Sequence, residues 1–154
     1  MLRYLSRLLV IALLALPLAS CGKKGNPALV GEWEGKVNGK TVVMTFAKDG
    51  ELTLGGDIAS LGTLLRSFAI LTEFNLTPGK NTPITYRCVS ATEMEVEADL
   101  SVLMEKLSAG GKGDPPPSWK QKLHPKETLT FAVAGKQLTL TNDQGASVQL
   151  QRAE

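Results

Sequence analysis

The side chains that could do chemistry in this chain are few and widely separated. They are Cys21, Cys88, the single histidine His124, and alternating glutamates at positions 93, 95 and 97. A cysteine nucleophile needs an adjacent base, and a metal site needs several ligands at close spacing; the sequence has neither pattern. Cys88 falls at an inward position of a predicted strand, and the glutamates fall at solvated outward positions. We therefore expect no enzyme activity, no catalytic residue, no metal site and no cofactor.

Cys21 stands apart because of the residues that precede it. Arg3 and Arg7 precede an apolar run that ends at Leu18, and the small residues Ala19 and Ser20 then lead to the cysteine. A basic start, a short apolar stretch and a small-residue cleavage site are typical of an export signal. The sequence therefore predicts that residues 1–20 are a signal peptide.

The tetrapeptide Leu18-Ala19-Ser20-Cys21 resembles the lipobox of bacterial lipoproteins. That resemblance implies cleavage before Cys21, diacylglycerol on its thiol and acylation of its new amine by a fatty acid such as palmitate. Residues 21–28 then form the lipid anchor and a polar tether. In enterobacterial lipoproteins, an aspartate directly after the lipidated cysteine resembles an inner-membrane retention signal. This chain has Gly22 at that position and so lacks the signal. We therefore expect the protein at the outer membrane, facing the periplasm.

The charge balance of the mature chain excludes one class of partner. Of 17 basic residues, Arg3 and Arg7 leave with the signal, and 15 basic residues then stand against 15 acidic ones. Nucleic-acid binding depends on phosphate neutralisation, so we expect no nucleic-acid partner. The length suits one domain, and Cys88 as the sole other cysteine leaves no intrachain disulfide framework.

Alternating apolar residues from Leu29 onward predict short strands joined by tight turns. Asn38-Gly39 is a strong two-residue hairpin signal, and closing the chain there pairs Trp33 with Met44 and Gly35 with Val42. Three-residue loops at 48–50, 90–92 and 143–145 close further hairpins in which apolar residues again face each other. They pair Phe46 with Leu52, Tyr86 with Val96, Cys88 with Met94, Leu138 with Leu150 and Leu140 with Val148, and they bring Arg87 opposite Glu95.

These hairpins predict a mainly all-β fold of eight antiparallel strands in an up-and-down meander. Closure of the meander into a small barrel removes exposed strand edges, and a two-sheet β-sandwich is the alternative. Two longer connections, about 57–74 and 99–108, have apolar residues at near-helical spacing and predict helical insertions. The first of them is apolar on several sides, which suits a lid, a plug or an interface.

Gly31-Glu32-Trp33 on the first strand resembles the Gly-x-Trp motif of lipocalins. In lipocalins an arginine near the end of the barrel packs across that tryptophan, and Arg152 on the last strand occupies a suitable position. The resemblance implies a lipocalin-like barrel over residues 29–152 whose cup binds a small apolar or amphipathic molecule. The inward residues that would line such a cup are Trp33, Met44, Phe46, Tyr86, Met94 and Phe131. The same residues could instead fill a solid core.

These observations predict a non-enzymatic lipoprotein of the bacterial envelope, held in the membrane by lipidated Cys21. Its barrel would either bind an envelope protein or carry a small lipid-like ligand. An inhibitor or regulator of a cell-wall hydrolase is the alternative, since small lipoprotein barrels with that activity form a family.

Overall fold

The structure is a computed structural model that describes residues 26–69, 82–101, 105 and 123–154. The described residues form one eight-stranded antiparallel sheet in the order β3-β2-β1-β8-β7-β6-β5-β4. The strands are β1 (Gly31–Val37), β2 (Lys40–Phe46), β3 (Leu52–Gly56), β4 (Ile84–Cys88), β5 (Glu93–Ala98), β6 (Lys126–Ala134), β7 (Gln137–Asn142) and β8 (Ser147–Arg152). The first and last strands of the chain are therefore neighbours in the middle of the sheet, as in a meander that closes on itself.

The tight turns set the register, and the pairing expected for the first hairpin is confirmed. Trp33 lies opposite Met44 and Gly35 lies opposite Val42. Asn38 and Gly39 have φ angles of 53° and 78°. Two consecutive left-handed residues are what a type I′ turn requires, and asparagine and glycine adopt that conformation at the lowest cost.

The three hairpins with longer loops also have the expected register. Their inward pairs are Phe46 with Leu52, Tyr86 with Val96, Cys88 with Met94, Leu138 with Leu150 and Leu140 with Val148. On the outer face Arg87 donates to a carboxylate oxygen of Glu95 at 2.6 Å. A shift of one residue in any of these hairpins would turn apolar side chains into solvent, which explains why the pattern specifies a single register.

The inward side chains of the eight strands form one hydrophobic core, to which buried residues from outside the sheet also belong. Leu29, expected on the first strand, lies in the turn that precedes β1 and is fully buried. Its amide donates to the carbonyl oxygen of Asn26 at 2.9 Å, and the Asn26 side chain accepts from the amide of Ala28. This local hydrogen bonding favours a turn over an extended strand.

The edges of the sheet meet, so the expected barrel is present and nearly closed. β3 and β4 approach each other at an antiparallel bridge between Glu51 and Thr85. Next to it, the amide of Tyr86 donates to the carbonyl oxygen of Gly50 at 2.8 Å. Closure satisfies edge groups that would otherwise remain open to other chains.

Tyr86 reinforces this seam from inside the barrel. Its ring packs edge-to-face against Phe46, with 5.0 Å between ring centroids and an interplanar angle of 89°. Its hydroxyl donates to the carbonyl oxygen of Ala47 at 2.8 Å. Burial raises the pKa of Tyr86 to about 12, because the phenolate would lose its hydration there.

The first long connection, described as far as Ala69, enters the barrel at the end where β3 stops. It contains two 3-10 helices, Ile58–Thr63 and Arg66–Phe68. We call residues 58–69 the plug, because four of its apolar side chains belong to the core, namely Leu61, Leu64, Leu65 and Phe68. Of the three roles expected for this segment, its described part therefore has the geometry of a plug.

Two buried polar side chains from the barrel hold the backbone of the plug. Asn142, near the end of β7, donates through Nδ2 to the carbonyl oxygen of Thr63 at 2.9 Å. Glu127, on β6, accepts a hydrogen bond from the amide of Ser67 at 3.0 Å. Short helices leave backbone groups without internal partners, and these two side chains satisfy some of them.

Asp57, directly before the plug, links it to the first hairpin. Its carboxylate lies 2.9 Å from the ammonium of Lys40 and accepts from the hydroxyl of Ser60 at 2.7 Å. The hydrogen bonds from Lys40 and Ser60 lower the pKa of Asp57. Residues 70–74 of the expected insertion lie outside the described residues.

Of the second expected insertion, 99–108, the structure describes residues 99–101 and 105. Ser101 and Glu105 are helical, and Asp99 accepts a hydrogen bond from the amide of Ser101 at 2.9 Å. The bonds from Ser101 lower the pKa of Asp99. The remainder of this expected helix lies outside the described residues.

We predict that Tyr86 titrates near pH 12 in the folded protein. In the unfolded chain a tyrosine titrates near about pH 10. A raised folded-state pKa stabilises the fold fully below the unfolded value, and this stabilisation is lost as the pH rises towards 12. Without residues 1–20 the chain has one tyrosine, so the ultraviolet absorbance of the phenolate reports this group directly.

Tyr86→Phe serves as the comparison. It removes the bond to Ala47 and should lower the free energy of unfolding by about 1 kcal/mol at neutral pH. The difference between wild type and variant should shrink as the pH rises from 10 to 12. A phenolate midpoint near 10 in the folded wild type would contradict the burial of this hydroxyl.

Candidate functional site

The residues that precede the barrel are bound tightly to one of its ends. Asn26 is buried, and its carbonyl oxygen accepts from the amides of Leu29 and Val30 at 2.9 and 3.2 Å. The indole nitrogen of Trp33 donates to the carbonyl oxygen of Leu29 at 2.7 Å. The turn therefore folds over the end of the barrel, where Leu29 enters the core.

Arg152 fastens this turn from the last strand. Its guanidinium carbon lies 4.2 Å from the centroid of the Trp33 ring. Nη1 donates to the carbonyl oxygen of Val30 at 2.7 Å, and Nη2 donates to that of Ala28 at 2.8 Å. A Cβ on Gly31 would lie 2.8 Å from Nη1, so glycine leaves the space through which the arginine passes. We call the contacts of Arg152 with Trp33 and with residues 28–30 the tether clamp.

The six inward residues named from the sequence all lie in the core. Trp33, Met44, Phe46, Tyr86, Met94 and Phe131 have between 0 and 5% of their surface exposed. An internal void wide enough for a water molecule would leave accessible surface on the side chains beside it. Trp33, Met44 and Met94 have none, so side chains fill the barrel around them. Contact of these six residues with a ligand stays a prediction, and it would require interior side chains to move.

The space between the plug and the barrel is also small. A crevice of about 10 Å³ lies among Leu54, Ile58, Leu61, Leu65 and Phe68. A cavity of this size holds about one water molecule. It has no room for a lipid-like ligand unless the plug moves.

A larger groove, of about 220 Å³, runs along the outside of the seam. Asp49, Thr85, Arg87, Glu95 and Glu97 are among its lining residues. The Arg87–Glu95 ion pair occupies part of this surface. The groove is open, and most of its lining side chains are polar or charged, unlike those of a typical small-molecule pocket.

Among the described residues, the reactive side chains named from the sequence are not brought together. Cys88 is buried at the end of β4. At the opposite end of the sheet, the half-exposed His124 has its Nδ1 3.6 Å from Glu97 and 3.9 Å from Asp99. Among the described residues, no group of three or more His, Cys, Asp or Glu side chains is arranged to hold a metal ion. Cys21, the expected lipidation site, lies outside the described residues.

One feature of the exterior does not follow from the alternation of apolar residues. The outward positions of β6, β7 and β8 from Thr128 to Gln151 are uncharged, whereas those of β4 and β5 include Arg87, Glu93, Glu95 and Glu97. We call these positions the charge-free panel. Its members are Thr128, Thr130, Ala132, Ala134, Gln137, Thr139, Thr141, Ser147, Gln149 and Gln151. The sequence indicates this surface through uncharged, small or amide side chains at every second position of three successive strands.

The panel is a continuous surface because its strands are neighbours. Thr130 lies opposite Thr141 and Ala132 opposite Thr139, and Thr139 in turn lies opposite Gln149. Thr141 and Ser147 share a hydrogen bond between their hydroxyls at 3.2 Å. The result is a surface that exposes hydroxyl, amide and methyl groups without an ionised side chain.

No family model, curated protein or solved structure matches this chain. Within the described residues, none of the helices has the length and apolar character needed to cross a membrane.

We predict that Arg152→Lys weakens the tether clamp. Lysine retains the charge but loses the planar group that stacks on the indole and donates to two carbonyl oxygens at once. The free energy of unfolding should fall by about 2 kcal/mol in urea titrations. Hydrogen exchange at the amides of Leu29 and Val30 should accelerate more than exchange in β6.

Arg87→Lys is the matched control, because Arg87 forms an exposed ion pair on the outer face. We expect this change to alter stability by less than about 0.5 kcal/mol. Equal effects of the two substitutions would contradict the importance of the clamp.

Proposed function

We propose that this protein is a non-enzymatic envelope lipoprotein that acts by binding another protein through the outer surface of its barrel. Cys21 would carry the lipid and hold the barrel at the periplasmic face of the outer membrane. The filled interior of the barrel is the observation that favours protein binding over transport of a ligand.

The packing of the interior favours protein binding over ligand transport. A carrier needs a cavity of roughly 300–1,000 Å³ that encloses its ligand. Here Trp33, Met44 and Met94 have no accessible surface, and the plug covers one end of the barrel. An eight-stranded barrel is just narrow enough for its own side chains to fill it. The surface available for recognition is therefore the exterior.

The charge-free panel is the part of the described exterior best suited to a protein partner. The centres of protein interfaces are depleted of charged residues, because burying an unpaired charge is costly. Threonine and serine side chains also lose little conformational freedom when they are covered. The β4–β5 face, with Arg87 and three glutamates, would require complementary charges on the partner.

The proposed anchoring is supported by the sequence before the barrel. The lipobox-like residues Leu18–Cys21 are followed by Gly22-Lys23-Lys24-Gly25, a polar segment without apolar side chains to pack. The ordered turn that begins at Asn26 comes next. This order of segments suits a short tether between an acylated cysteine and a folded domain.

We predict that Cys21 is acylated and Cys88 is not. Cells that express the full chain and are fed an alkyne-tagged fatty acid should label wild type and Cys88→Ala, and both proteins should partition into a detergent phase. Cys21→Ala should lose the label and remain unprocessed. Cys88 is a matched control because it is buried in the core. Acyl label that persists in Cys21→Ala would contradict this assignment.

We predict that a photo-crosslinking residue placed at Gln149, within the panel, captures a protein partner in intact cells. Adding Thr141→Lys to the same chain should reduce the adduct about tenfold, because Thr141 lies between the uncharged Thr130 and Ser147, and an unpaired lysine in the interface costs at least about 1.4 kcal/mol. Thr53→Lys, an exposed outward threonine on β3, should leave the adduct unchanged.

Two results would contradict protein binding through the panel. One is an adduct whose yield falls equally with Thr141→Lys and with Thr53→Lys. The other is a lipid that copurifies with the unacylated chain and is detected by native mass spectrometry. That result would support ligand binding as the function instead.

A further inference from the structure

We infer that the barrel stands on the bilayer in one orientation, with the end that carries the tether clamp against the lipid head groups. We call this the tether end; it also carries the hairpin loops 47–51, 89–92 and 135–136. The opposite, distal end carries the plug and the loops 38–39 and 143–146. The inference rests on the proposed acylation of Cys21.

The point where the tether leaves the barrel is fixed by the clamp. Asn26 is buried, Leu29 enters the core, and Arg152 binds the carbonyl oxygens of Ala28 and Val30. The chain before Asn26 therefore starts from the tether end itself and not from a loose strand that could swing around the barrel.

The number of residues before that point limits the height of the barrel. Five peptide steps join Cys21 to Asn26, and a fully extended chain spans at most about 3.6 Å per residue. The tether can therefore reach about 18 Å. A strand of seven residues such as β1 is about 23 Å long, and the usual tilt of barrel strands reduces its height along the barrel axis to about 18 Å. The fully extended tether is thus only about as long as the barrel is tall, so the distal end can reach the bilayer only if the tether stretches along the whole side of the barrel.

The surface of the tether end is compatible with lipid contact. Val89 lies in the loop after β4 and is 43% exposed. Among the described residues, it is the one large hydrophobic side chain that is exposed. Lys48 and Lys136 lie at two other hairpin tips of the same end. Asp49 adjoins Lys48, and Glu154 forms an ion pair with Lys136 at 3.2 Å. Glu51 in the loop 47–51 is also exposed, so three acidic side chains stand against two lysines at these positions. Attraction to anionic lipid therefore does not set the orientation, and the tether does.

This orientation has a consequence for the proposed interaction. The plug and the distal loops face away from the bilayer. The strands of the charge-free panel run from the bilayer towards the periplasm, so the panel stays accessible to a periplasmic protein from the side.

Spin labels on the acylated full-length protein in vesicles that contain a nickel-chelating lipid test the orientation. The labels are placed on Ala91→Cys at the tether end and on Gln144→Cys at the distal end, both exposed positions, in a Cys88→Ala background. Relaxation by the lipid-bound nickel should be at least about fivefold stronger at position 91, because about 20 Å of strand separates the two positions. The ratio should be the same in zwitterionic vesicles and in vesicles that contain phosphatidylglycerol.

The outcomes separate this inference from the function on which it rests. Mass spectrometry of the purified protein first reports the acyl groups on Cys21; their absence would overturn both the anchoring and the orientation. Acylated protein with equal or reversed relaxation at positions 91 and 144 would overturn the orientation alone. A fivefold ratio seen only with anionic lipid would overturn the tether as its cause.

Discussion

Closure of the barrel is the constraint on which the rest of this structure depends. Because β3 and β4 meet at the Glu51–Thr85 bridge, every second residue of eight strands is directed into one narrow space. That space has a fixed volume, and Trp33, Met44 and Met94 occupy part of it with no surface left exposed. The closed sheet leaves two ends and an outer surface, and the plug and the tether clamp occupy the ends. The outer surface is therefore the part of the described barrel that stays accessible.

Much of the fold could be predicted because turn chemistry and side-chain alternation agree with each other. Asn38-Gly39 fixes the first hairpin, and the apolar face of its two strands permits a single register. The same agreement holds where Tyr86 lies opposite Val96 and Leu140 opposite Val148. Local rules suffice there, since each hairpin is formed by residues that are close in sequence.

The parts that could not be predicted depend on contacts between distant residues. Glu127 and Asn142 occupy inward positions of their strands, where charged and amide side chains are unexpected, and their roles follow only from the plug backbone that they bind. Arg152 was expected over Trp33, but its hydrogen bonds to Ala28 and Val30 were not. They depend on a turn, where the alternation of apolar residues predicts a strand. The charge-free panel needs the strand order, because its three rows become one surface only when β6, β7 and β8 are neighbours.

The tether clamp joins residues that are 122 and 124 positions apart in the sequence, near the two ends of the barrel domain. Such a pairing has a high contact order, and the entropy of closing the intervening loop must be overcome before the contacts form. β1 therefore keeps one unprotected edge until β8 arrives, although its pairing with β2 can form early. A chain that stops before β8 would present that edge, with the indole of Trp33 beside it, to other chains. The arrival of β8 thus decides when the first strand is no longer open to pairing with another chain.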